Sequence, residues 1–135
     1  LVGAEMCIRD RDSNNGYLGN WCGWPNGGGN TICMVVAVND RLYAISYAHL
    51  SNEIYVTSGQ QVSQGTVIAK SGNSGNSTGP HTHVEVFELK QDLNSIVEYF
   101  RNSGADFSFG CGYSEAATCS GYACRIDPET VLEGV

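Results

Sequence analysis

The segment Ile32-Cys33-Met34-Val35-Val36-Ala37-Val38 is apolar almost without interruption, and Asn39-Asp40 leads straight from it into a second strand-like run, Arg41 to Ala48. Asn and Asp accept the backbone of a tight turn, so this pattern predicts an antiparallel hairpin whose first strand is buried. Along the return strand, alternation puts Tyr43, Ile45, Tyr47 and His49 on one face, which extends His49 from an aromatic-lined surface. Seventeen glycines against three prolines favour turns and close backbone approaches over long helices.

Further strands are expected at Leu1 to Ile8, Asn52 to Thr57, Thr66 to Lys70 and His81 to Leu89. The glycine-punctuated connection Ser58 to Gly65 precedes the third of these. Its rhythm is similar to that of biotinyl and lipoyl carrier domains, which points to β-roll architecture. Asp92 is placed to cap one helix, in which Leu93, Ile96, Val97 and Phe100 form an apolar stripe ended by Asn102-Ser103-Gly104. Asp127-Pro128-Glu129 starts a short terminal turn. The fold class expected is mostly β: an antiparallel β-sheet or β-roll with one short C-terminal helix, in a single domain spanning 1–135. Residues 1–20 are poorly defined, and 102–124 form a Cys-rich insertion.

A net charge of −7 disfavours nucleic acid as a partner, because phosphates call for clustered Lys and Arg. No run approaches the length of a membrane span. Six cysteines (7, 22, 33, 111, 119 and 124) in a loop-rich chain suggest an oxidising compartment. Cys22 and Cys33 flank the Asn26-to-Asn30 turn and are placed to staple it, while Cys111, Cys119 and Cys124 crowd the late insertion. Trp21 and Trp24 either cap a core or line a substrate groove. The opening residues read as a truncated chain, and Met6-Cys7-Ile8-Arg9-Asp10-Arg11 resembles a translated sequencing-adapter junction, which would leave Cys7 without a native partner. Arg9 to Gly16 reads as a loop.

The chemistry is concentrated between Gly72 and Val86. A polar, glycine-rich loop runs through Pro80 into His81-Thr82-His83-Val84-Glu85-Val86, so His81, His83 and Glu85 project to one side of a strand. At roughly 3.3 Å rise per residue the two histidines stand about 6–7 Å apart at their Cα atoms. Both imidazoles can therefore reach one small volume, which suits a metal ion and its water. The third and last histidine, His49, lies in Tyr47-Ala48-His49-Leu50-Ser51, at the end of another strand.

Tyr47 to Ser51 and Ser77 to Val86, joined by Val62 to Gly72 and followed by Arg125-Ile126-Asp127-Pro128, resemble the core of the M23 (LytM/lysostaphin-like) zinc metallopeptidases. The resemblance implies that family's β fold and a secreted or cell-wall-associated, monomeric endopeptidase that cuts the peptides of bacterial peptidoglycan. It implies Zn2+ as cofactor, with His83 as a ligand and with His49 and His81 as the catalytic histidines flanking the metal-bound water. Glu85 either orients an imidazole from behind or stands solvated. Thr82 replaces the Leu usual in that family between the two histidines. The family's other two ligands come from an upstream His-x-x-x-Asp, and this chain has no histidine before His49. Met6 and Ile8 stand four residues ahead of Asp10 and Asp12. Either the chain is a piece of an active enzyme or it is a degenerate relative that binds peptidoglycan or a partner protein without cleaving.

Overall fold

The structure, a computed structural model, describes residues 5–9, 28–57, 59–102, 109–111 and 117–132. One six-stranded sheet forms the body. Its strands are β1 (Glu5–Arg9), β2 (Asn30–Val38), β3 (Arg41–Ile54), β4 (Ala69–Ser71), β5 (His83–Leu89) and β6 (Ala123–Ile126). The order across the sheet is β1-β2-β3-β5-β6, with β4 paired to the far end of β3, and every pairing is antiparallel. Two helices complete the described chain, α1 (Leu93–Asn102) and the single turn α2 (Glu129–Leu132).

Both faces of the sheet are covered, which explains the unbroken apolar run of β2. On one face Cys33, Val35, Ala44, Phe87 and Ala123 pack beneath Ile96 of α1 and beneath Phe109 and Cys111. On the other, Val36, Ile45 and Val86 meet Tyr43, Tyr47, Val62, Ile126 and Val131, and Ile32, Leu50 and Val56 continue this layer. The β2–β3 hairpin turns at Asn39 and Asp40, both at positive φ, as the sequence anticipates.

Several boundaries differ from the sequence reading. β3 does not stop near Ala48 but runs on to Ile54, taking in the first part of the separate strand expected at Asn52 to Thr57. β4 is only three residues long, because residues 66–68 have no strand partner among the described residues and pairing begins at Ala69↔Ile54. β6 is an additional strand, paired to β5 from Val86↔Ile126 to Leu89↔Ala123. Two helices stand where one was expected, the second being the turn after Pro128. In α1, Asp92 caps the helix as expected by accepting the Ser95 N–H at 2.8 Å. Ile96 is fully buried, but Leu93 is exposed, and Tyr99 takes its place against the core.

In the late insertion Cys119 and Cys124 form a disulfide. Its loop docks on the junction of β5 and α1: the Lys90 N–H and Nζ donate to the Tyr122 and Ser120 carbonyls, and Gln91 Nε2 donates to the Gly121 carbonyl. Cys111 is buried, with its thiol 3.6 Å from the Ala123 carbonyl oxygen. Of the loop expected from Arg9 to Gly16, Arg9 ends β1 instead and the rest lies outside the described residues, as do the Trp21, Trp24 and Cys22–Cys33 expectations and most of the 102–124 insertion. Among those that are described, no helix is long and apolar enough to cross a membrane.

Candidate active site

Regular alternation would put His49 on the wrong side of the sheet. Cross-strand partners share a face, and the partners here are Tyr47↔Val84 and Ala48↔His83. His49, two residues after Tyr47, would therefore point with Val84, away from His83. A bulge prevents this. Between Ile32↔Tyr47 and Asn30↔Leu50, β3 spends three steps where β2 spends two. His49 occupies the extra position at φ 59°, the left-handed backbone that glycine usually supplies in such bulges. Its ring turns to the His83 side, while Leu50 returns to the apolar layer with Ile32 and Val56. The expected common face of Tyr43, Ile45, Tyr47 and His49 is corrected accordingly, since His49 leaves it.

The three imidazoles converge as a result. The His49 ring centroid lies 4.7 Å from that of His81 and 6.2 Å from that of His83. His81 precedes β5 in an isolated bridge to Gly72, to whose carbonyl its N–H donates at 3.0 Å. On its other side Gly72 lies against β3 so closely that glycine is required, because a Cβ there would overlap the backbone of Leu50 and Ser51. Glu85 lies on the same face, 2.9 Å from His83 Nε2 through Oε1, and its Oε2 is 3.5 Å from Arg125 Nε. Arg125 in turn lies over the Phe87 ring at 5.4 Å.

Hydrogen-bond partners determine where each ring carries its proton. A carbonyl oxygen only accepts, so His49 Nδ1, 2.8 Å from the Ser74 carbonyl, must donate. His81 Nδ1 likewise donates to the Gly79 carbonyl at 2.7 Å, beside Ser77 Oγ at 3.2 Å. His83 donates through Nε2 to the Glu85 carboxylate. The neutral rings therefore keep their lone pairs at His49 Nε2, His81 Nε2 and His83 Nδ1. Burial holds the His49 pKa below the ordinary imidazole value, and the neighbouring His81 and His83 lower it further, against the opposing bond to Ser74. The hydrogen bond that His83 donates to Glu85 raises the pKa of His83. Adjacent imidazoles with opposite shifts suit different tasks, one ring staying neutral with its lone pair available while the other is held by a carboxylate.

Does this donor set fit zinc? The carboxylate behind His83 is the usual support of a metal-binding imidazole. His49 and His81 are instead anchored to loop carbonyls, and the Glu85 carboxylate is occupied by His83 and Arg125. Among the described residues no group of three or more His, Cys, Asp or Glu is arranged to hold a metal. The described residues therefore do not make a complete zinc set.

Sequence reasoning missed two participants. Ser74 is buried inside the glycine-rich loop, and Arg125 reaches Glu85 from β6. The Arg125-Ile126-Asp127-Pro128 segment carried a signal for the second, and nothing local marked the first.

The model for peptidase family M23 matches residues 14–95. The chain is 36% identical over 83 residues to peptidoglycan DD-endopeptidase ShyA of Vibrio cholerae, covering 62% of this chain and 16% of that protein. It is 35% identical over 99 residues to glycyl-glycine endopeptidase ALE-1 of Staphylococcus capitis (73% and 25%) and 36% identical over 99 residues to lysostaphin of Staphylococcus simulans (70% and 18%). The matched region thus spans a quarter or less of each of these relatives. With a family match over more than half its length, the chain belongs to peptidase family M23.

Proposed function

We propose that this chain carries the histidine side of a hydrolytic centre that cleaves peptides of bacterial peptidoglycan, with zinc as the metal, outside the cell that makes it. The convergence of His49, His81 and His83, each with a lone pair left open by its hydrogen bonds, is the observation that carries the reading. The relatives' names supply the substrate class.

In this reading His49 and His81 handle water and its protons. A water held between the two Nε2 lone pairs gives one proton to an imidazole as its oxygen bonds to the peptide carbonyl carbon. The imidazolium then protonates the departing amine as the C–N bond breaks. The depressed pKa of His49 keeps that ring neutral, as a base must be. Among the described residues His83 is the one held in the manner of a metal ligand, with Glu85 fixing its tautomer. The remaining ligands are not among the described residues.

The test is release of new amino groups from purified bacterial peptidoglycan incubated with the chain and zinc. His49→Ala and His81→Ala should each lower the rate by roughly 100-fold or more, the usual range for a lost acid–base group. Unchanged release by either variant would overturn the assignment. Calorimetric titration should show zinc bound with a Kd of about 1 μM or weaker (about 8 kcal/mol), against the ~10–16 kcal/mol of complete structural sites, and His83→Ala should abolish it. Nanomolar binding would mean that the donor set is complete after all. The incomplete set also favours a second reading, a module that holds wall peptides without cutting them. Cosedimentation with peptidoglycan and no release of amino groups would support it.

A further inference from the structure

We propose that Ser74 is a positioning residue for His49: it locks the glycine-rich loop onto the β3 bulge and thereby holds the His49 ring in its Nδ1–H tautomer. The inference rests on the reading of His49 as a proton-handling group.

Ser74 is 3% exposed, whereas its neighbours Asn73 and Asn76 are exposed. Its hydroxyl accepts the Asn30 N–H at 3.0 Å and donates to the Leu50 carbonyl at 2.5 Å. Asn30 and Leu50 are the paired residues that close the bulge. The side chain therefore ties together the two strand positions beyond the extra residue, while the backbone carbonyl of the same serine accepts His49 Nδ1–H at 2.8 Å. Nothing is left loose around it. The His49 N–H donates to the Gly28 carbonyl at 2.7 Å, and Gly29, at φ 63°, packs so closely that a Cβ there would overlap Ser74 Oγ and its carbonyl carbon.

This arrangement decides which nitrogen of His49 faces the reacting volume. A neutral imidazole in water moves its proton freely between its two nitrogens, and only a fixed acceptor selects one. If the loop drifts, the Ser74 carbonyl leaves Nδ1, and the proton redistributes toward Nε2, the atom that must be bare to take a proton from water. Removing the hydroxyl takes an acceptor from the buried Asn30 N–H and the shorter of two side-chain donors from the Leu50 carbonyl, the other being Asn30 Nδ2 at 3.4 Å, so the loop has reason to drift.

The experiment is a long-range 1H–15N correlation spectrum of the 15N-histidine-labelled chain, recorded above the ordinary imidazole pKa. Wild-type His49 should show the Nδ1–H pattern. In Ser74→Ala the Nδ1–H to Nε2–H ratio should fall by about tenfold, the population equivalent of one net hydrogen bond. Ser74→Cys fills the same space with a much poorer hydrogen-bonding group; it should give the same shift, and it decides the matter if Ser74→Ala does not fold. Asn73→Ala, on the exposed side of the same loop, should leave the pattern unchanged. A folded Ser74→Ala or Ser74→Cys variant with the wild-type ratio, or an equal shift in Asn73→Ala, would refute the proposal. The readout is independent of hydrolysis. A chain that cleaves nothing can still show the shift, and a cleaving chain can fail to show it.

Discussion

A histidine at φ 59° is held in a conformation that costs a residue with a side chain about 1–2 kcal/mol. The bulge at His49 pays that cost to turn the ring, and the hydrogen bonds to Gly28 and Ser74 offset it. Strain of this kind has a measurable signature. His49→Gly should be more stable than His49→Ala by about 1 kcal/mol in urea denaturation, because glycine accepts the left-handed backbone and alanine does not. Equal stabilities would mean that the backbone relaxes once the ring is gone. The same residue marks the limit of what was legible. That the three histidines of this chain would come together could be read from their motifs. Which side of the sheet His49 occupies could not, because alternation assumes a regular ladder and no local residue type announces the extra step. Ser74 was hidden for a related reason, since its partners Asn30 and Leu50 lie 44 and 24 residues away in the chain.

Helix α1 was largely readable. Its cap, its length and its buried Ile96 follow from Asp92 and the apolar period, and it departs from the pattern where Tyr99 rather than Leu93 meets the core. Tyr99 stacks on Phe109 at 5.8 Å and contacts Tyr122 at 4.5 Å, aromatic contacts from distant segments that a helical period cannot foresee. The cap also fixes an acid response. The Ser95 N–H bond holds the Asp92 carboxyl below its ordinary value of 3.8. A group whose folded-state pKa is depressed contributes stability above its unfolded pKa and loses it as pH falls through the folded one. The helicity of α1, followed by its amide chemical shifts, should therefore decline as pH falls below about 4. Asp92→Asn, which still caps but does not titrate, should remove that step; an unchanged acid transition would show that another group controls the helix. β6 was the least legible element, because Ala-Cys-Arg-Ile has neither alternation nor length and becomes a strand only by pairing with β5.

At the scale of the molecule, the fold class followed from strand periodicity and glycine punctuation, whereas the order of strands did not. Placing β5 between β3 and β6 depends on contacts across more than thirty residues of chain. One consequence is that core and site share a strand. Phe87, fully buried against Phe109 at 5.2 Å, lies two residues beyond Glu85 on the same face. Phe87→Ala should destabilise the chain by about 3–5 kcal/mol in urea denaturation. It should also remove the ring under Arg125, whose guanidinium backs Glu85. A loss below about 1 kcal/mol would mean that the two covering layers unfold separately from the sheet.

The extra residue in β3 has a further consequence for anyone who edits this strand. Before Ala48, even and odd positions sort cleanly onto opposite sides of the sheet; beyond it the count is inverted, so Leu50 and Tyr47 lie together although they are three apart. An insertion or deletion of one residue near this point acts as a parity switch, exchanging the sides of everything downstream on β3. Grafted ligands, labels or cross-links past residue 48 must be counted from the new origin: Leu50 is buried, whereas the adjacent Asn52 and Glu53 are both exposed.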